Sequence, residues 1–216
     1  GCSGGGGGGV SVVPGTAQGP AGPVEWVEIH GADATTMAQH LETLSAEGYR
    51  LTSLGMYGTL QSPLYQAVLV RQEGPAFTWI LGVDQATLES TLHDLAGQGM
   101  YPTQIAALGP QGSQALFSAR VEATPWPTKW YVGQTGDAFV DKVSNLPQEW
   151  PPYNLQNFVV YHGMDTLAGV WARDTTRTGF SFYYGQSAPT RQQFTGVFHG
   201  LRYRRPAPRR RAGPPA

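Results

Sequence analysis

The chain repeats itself about every 51 residues, and that period constrains its fold more than any other feature. Gly31, Gly82, Gly133 and Gly185 head segments reading His-Gly-Ala-Asp, Leu-Gly-Val-Asp, Val-Gly-Gln-Thr and Tyr-Gly-Gln-Ser, at spacings of 51, 51 and 52. Trp79, Trp130 and Phe182 each stand three residues before their glycine, and Trp26 serves the first copy at a different offset. Downstream, Met37, Leu41 and Leu44 are matched by Leu88, Leu92 and Leu95, then by Phe139, Val143 and Leu146. That i, i+4, i+7 stripe predicts one buried helix face per copy. Segments 65–71, 116–122 and 167–173 keep the same period. A unit this short cannot bury a core alone, so successive copies are expected to stack.

Each unit reads as β-α-β-β. The aromatic-led run 77–81 suits a strand, because such side chains pack well on a pleated surface, and the glycine is expected to end it. Asp33 and Asp84 then stand where a helix N-terminus needs an acceptor for its free N–H groups. The helix runs about three turns and stops at Gly48 or Gly99, where glycine can turn left-handed. In the third copy the prolines after Trp150 are expected to stop it instead. Two strands follow in the first copy, about 50–57 and 65–71, joined by a loop over 58–63. The fold class is therefore α+β: a tandem array with units at about 24–75, 76–126 and 127–178 and a partial fourth at 179–203.

Particular residues carry a resemblance. Gly48-Tyr49-Arg50 followed by Leu54 and Tyr57, Tyr65-Gln-Ala-Val, Val170-Trp-Ala-Arg173 and the Trp-x-x-Gly heads resemble the structural repeat found beside the catalytic domain of polyglycine hydrolases and in bacterial tandem repeat domain proteins. The Gly-Tyr-Arg element has drifted in the second copy (99–102) and third (150–153), and segment 198–204 is similar to 44–50. The resemblance implies three units about a pseudo-threefold axis, so the array is expected either to close or to be cut short in its fourth unit. It also implies a neighbouring serine β-lactamase-like domain, whose nucleophile needs Ser-x-x-Lys. No serine here has lysine three positions on, the only lysines being Lys129 and Lys142, and Gly112-Ser113-Gln114 lacks the glycines of a nucleophile elbow. The expectation is a chain without catalytic machinery of its own.

Metal and phosphate chemistry are equally poorly supplied. His30, His40, His93, His162 and His199 show no paired-ligand spacing, and Gly4 to Gly9 is followed by no Lys-Ser or Lys-Thr, so no cofactor is called for. His162 and Asp165 share a loop that is either an ordinary hairpin turn or part of a ligand surface. The aromatics are more telling. Trp126 and Trp150 flank prolines in loops, where bulk is hard to bury, and Tyr153 follows closely. They are either loop packing or flat faces for a peptide or glycan. Trp130, at the head of its strand, is expected in the core.

The ends differ from the body. Residues 1–23 are almost all Gly, Pro, Ser, Thr, Ala and Val and read as a disordered tether, and 204–216 as a disordered Pro/Arg tail. Residues 1–200 hold 8 basic and 15 acidic side chains, whereas 201–216 hold six arginines and no acid. Such a tail can meet nucleic acid or anionic lipid, but an envelope location disfavours nucleic acid. The lone cysteine, Cys2, forms no internal disulfide; Gly1-Cys2-Ser3 before a glycine run resembles a bacterial lipoprotein junction after signal removal. The expectations are a lipid on Cys2, an envelope-anchored or secreted protein, and a peptide, protein or glycan of the envelope as partner. Two functions follow: a non-catalytic binding or scaffolding module, or an accessory domain of a serine hydrolase.

Overall fold

Strands β1 (Ser11–Gly19) and β2 (Gly22–Ala32) open the chain and helix α1 (Ala34–Ala46) follows, in a computed structural model that describes residues 9–19, 22–109, 114–149, 152–161 and 166–173. The hairpin β3 (Tyr49–Thr59) and β4 (Ser62–Arg71) completes the first unit. The second unit is β5 (Phe77–Val83), α2 (Gln85–Ala96), β6 (Met100–Leu108) and β7 (Leu116–Ala123). The third is β8 (Lys129–Thr135), α3 (Gly136–Asn145), β9 (Tyr153–Tyr161) and β10 (Thr166–Arg173). The fold is thus α+β with tandem units. In each sheet the unit's last strand is central, giving the orders β1-β2-β4-β3, β5-β7-β6 and β8-β10-β9, with every pairing antiparallel.

The helix stripe lands where the period puts it. Met37, Leu41, Leu88, Leu92 and Phe139 are fully buried, and Leu146 is nearly so. Each contributes roughly 1.5–3 kcal/mol by leaving water. Asp33 and Asp84 accept the N–H of Thr36 and Thr87, both at 2.8 Å, and Thr135 does the same for Ala138 at 3.3 Å. The third helix ends at Asn145, before Trp150, and passes into a 3-10 turn at Leu146–Gln148 that carries Pro147. Proline tolerates the start of such a turn, where its missing N–H is not needed.

The head glycine does not end its strand. β2, β5 and β8 run on for one or two residues beyond Gly31, Gly82 and Gly133, whose φ values are 75°, 61° and 66°. The ladder slips there in every unit, between His30 and Ala32, between Ile80 and Val83, and between Tyr131 and Gln134. The glycine therefore supplies the left-handed residue of a bulge, which kinks the strand toward its helix. The hairpin of the first unit is also tighter than a 58–63 loop, with only Leu60 and Gln61 between paired Thr59 and Ser62.

The tether expected over 1–23 is corrected as well, because 11–19 is strand β1, paired with β2 along its whole length. It is an edge strand, where Pro14 lacks no needed partner, and Trp26 lies flat on Gly15 opposite. Cys2, the fourth copy and the Pro/Arg tail lie outside the described residues.

Units join through shared packing. Phe77, Trp79 and Leu81 of β5 pack on the first unit's core, while Ile80 between them points into the second. Trp130 and Val132 of β8 likewise pack into the second unit's core, and Tyr131 meets Trp171 edge-on at 5.4 Å in the third. Trp130 is therefore half-buried at a boundary rather than inside its own unit. The head tryptophans are couplers. Among the described residues no helix is long and apolar enough to cross a membrane.

Candidate functional site

A second bulge recurs in every unit, on the strand after the helix. Leu51 pairs with Leu69 and Ser53 with Val68, leaving Thr52 extra; Pro102 and Gln104 likewise leave Thr103; Leu155 and Asn157 leave Gln156. Bulges re-aim side chains out of the pleat. Here all three, one per unit, line a single cleft of about 500 Å³.

In the second and third units the residue after the bulge builds the cleft's floor. Gln104 grips the main chain of the first unit, accepting from Leu54 N–H and donating to Leu54 C=O, both at 3.0 Å. Asn157 accepts the N–H of Ile105 in the second unit at 2.9 Å. The rule is regular: the amide one place past the bulge clamps the backbone two places past the bulge of the preceding unit. Ser53, at that place in the first unit, has no unit before it and is exposed.

Charge crosses the same boundary. Arg50 Nη2 donates to Glu122 at 3.1 Å and its Nη1 bonds Pro75 C=O, while the guanidinium lies 4.8 Å over Phe77. Arg120 reaches the carbonyls of Leu51 and Thr52, donates from Nε to Thr103 at 2.8 Å, and stands 4.0 Å from Glu122. Burial draws the Arg120 guanidinium below its ordinary value; Glu122 opposes that shift and Arg50 adds to it. It stays charged, since arginine starts far above neutrality.

The outer wall is Thr124 to Thr128 and the end of β10. Trp126 is 53% exposed and is the large exposed aromatic of the expected surface among the described residues. The Arg173 guanidinium lies 4.0 Å from the centre of its ring, within cation–π range. Tyr153 is not part of this wall: it lies across the ladder from Arg173, half-buried, with the Lys129 ammonium 4.6 Å from its ring. Trp150, His162 and Asp165 lie outside the described residues. Thr52, Thr103, Gln104, Arg120, Gln156 and Arg173 were not legible as site residues in the sequence. The signal existed for the first pair, since Thr52 and Thr103 are 51 apart, but Gln156 falls two residues beyond the period.

Among the described residues the cleft has polar walls, an exposed indole and two guanidiniums against one carboxylate, and no serine, cysteine, histidine or lysine lines it. Such a lining can bind and orient a ligand through hydrogen bonds and stacking. Among the described residues, no three His, Cys, Asp or Glu side chains gather to hold a metal ion. In comparison with known families, residues 23–72 and 74–120 each match the family model described as polyglycine hydrolase-like, structural repeat. The two matched segments coincide with the first two β-α-β-β units, without β1 and without the last strand residues of β7.

Proposed function

From a chain whose first two units are polyglycine hydrolase-like structural repeats, we propose a non-catalytic binding module that presents the inter-unit cleft to a peptide or glycan of the bacterial cell envelope. The observation that carries this reading is the convergence of three bulge residues, one from each unit, on one cleft beside an exposed tryptophan. Bulges and exposed aromatic side chains are features that a purely structural array has no need of. The cleft's volume falls within the roughly 300–1,000 Å³ of ligand pockets. Gly1-Cys2-Ser3 and the six glycines after it support tethering through a lipid on Cys2. A Cys2→Ala variant that still fractionated with membranes would contradict the tether.

Proton NMR of a glycine-rich peptide, with and without the intact chain, tests the binding role. Broadened but uncleaved signals, sharpened again in Trp126→Ala, are expected. New peptide termini would show catalysis and contradict the reading; broadening unaffected by Trp126→Ala would place the site elsewhere. The family's description favours a second reading, an accessory module serving a serine hydrolase of polyglycine hydrolase type. Its signature is faster peptide turnover by such a hydrolase when this chain is added.

A further inference from the structure

Among the described residues the third unit differs from the other two in its bulge residue and in the pairing of the charged residue near the end of its last strand, and both places line the cleft. At the bulge, the hydroxyls of Thr52 and Thr103 donate across their own ladders, to Val68 C=O at 2.9 Å and Arg120 C=O at 3.3 Å. The third unit has Gln156 there instead, and its amide makes no hydrogen bond among the described residues. Arg71, Glu122 and Arg173 stand at or one residue before the end of the last strand of each unit, at 51-residue steps. Arg71 pairs with Glu25 at 2.7 Å and Glu122 with Arg50 at 3.1 Å. Arg173 has no acid beside it among the described residues, and its buried Nε–H has no acceptor.

Nearly every other polar group in the cleft is already used by the fold. Thr124 and Thr128 donate to the carbonyls of Trp126 and Pro102 at 2.6 and 2.9 Å, Gln104 and Asn157 clamp backbone, and Arg120 is bound on three sides. What remains is one guanidinium edge, one primary amide and one indole face. A glycan is read through many hydroxyls and would find few partners here. A chain terminus needs just these three: a guanidinium for its carboxylate, an amide for its last peptide bond, and an apolar face for its last side chain.

We propose that the cleft binds the C-terminal carboxylate of an extended peptide, with Arg173 as the anchor, Gln156 reading the adjoining amide and Trp126 covering the terminal side chain. This rests on the binding reading above and gives it a ligand chemistry. The charge balance fits, because among the described residues the one carboxylate lining the cleft, Glu122, is shared between Arg50 and Arg120, and none is paired with Arg173.

Isothermal titration of the intact chain with N-acetyl-Gly-Gly-Leu as free acid, as C-terminal amide, and with glucuronic acid tests the assignment. The acid is expected to bind at least about tenfold more tightly than the amide, as a charge-assisted pair requires. Arg173→Gln should bring the acid down to the amide's level. Gln156→Thr, which restores the residue that fills the bulge in the first two units and so keeps the fold, should weaken acid and amide by the same factor. Equal affinities for acid and amide would overturn the carboxylate while leaving the cleft a binding site. Glucuronic acid matching the peptide acid, with the same dependence on Arg173, would overturn the peptide. Binding of neither peptide form would overturn the proposal, and loss of the glycine-peptide broadening as well would remove the binding reading beneath it.

Discussion

Asp33 and Asp84 show how much one residue can settle. Each stands alone before an apolar stripe, and each caps its helix through the N–H three positions on. Those donors, the backbone N–H of Thr36 and of Thr87 first among them, hold both carboxyls below their ordinary value. A depressed carboxyl stabilises the fold above its unfolded value of about 4, and that contribution is lost as pH falls through the lower folded value. Asparagine caps nearly as well but does not titrate. The double variant Asp33→Asn, Asp84→Asn should therefore keep most of the melting temperature at pH 7 and lose less of it below about pH 4 than the parent does. Parallel melting curves across pH 2–7 would show that the caps do not carry the acid sensitivity. The residues that sequence could not settle are Gln156 and Arg173. They are ordinary polar side chains whose meaning appears only when the ladder shows one as extra and the other as unpaired.

At the scale of elements, helix faces were fully legible. A 3.6-residue period depends on burial of one face, and Met37, Leu41, Leu88, Leu92 and Phe139 confirm it. The units and their β-α-β-β succession followed from the 51-residue repeat. Strand details were not legible. The head glycines looked like strand ends, because a left-handed residue inside a strand and one after it leave the same letter. β1 was read as tether because its Gly and Pro composition suggests coil, yet an edge strand accepts Pro14, and Trp26 covers Gly15. The glycines give a graded test. Gly99 is left-handed with φ 77° and open space where a Cβ would stand, so Gly99→Ala should cost about 1–2 kcal/mol of backbone strain. At Gly82 the same strain is joined by a Cβ placed 2.1 Å from the buried Tyr65 hydroxyl. Gly82→Ala should cost clearly more, read by urea denaturation, and Gly82→Ala with Tyr65→Phe should recover part of the difference. Equal losses at Gly82 and Gly99 would mean that the first and second units do not meet as described.

At the scale of the molecule, the units are joined by a periodic device: an aromatic from each first strand and an amide from each middle strand reach into the unit before. The first unit packs on the second and the second on the third; the fourth copy, on which closure about an axis would turn, lies outside the described residues. Glu122 is the ionic link of the first boundary, and removing it leaves Arg50 and Arg120 facing each other half out of water. Glu122→Gln should cost about 3 kcal/mol, as losing one partner of a buried pair does, and should shift one common unfolding transition. A transition that split in two would show independently folding units.

We propose one cleft, built from the bulges of three units, as the place where this protein meets its ligand. Chemical-shift mapping by 15N NMR, titrating the intact chain with N-acetyl-Gly-Gly-Leu, addresses it directly. Shifts are expected at Thr52, Thr103 and Gln156 in three different units, together with the Trp126 indole and the Arg173 Nε–H. Shifts gathered instead around Glu89, His93 and Trp130 on the second boundary, or confined to one unit, would contradict it.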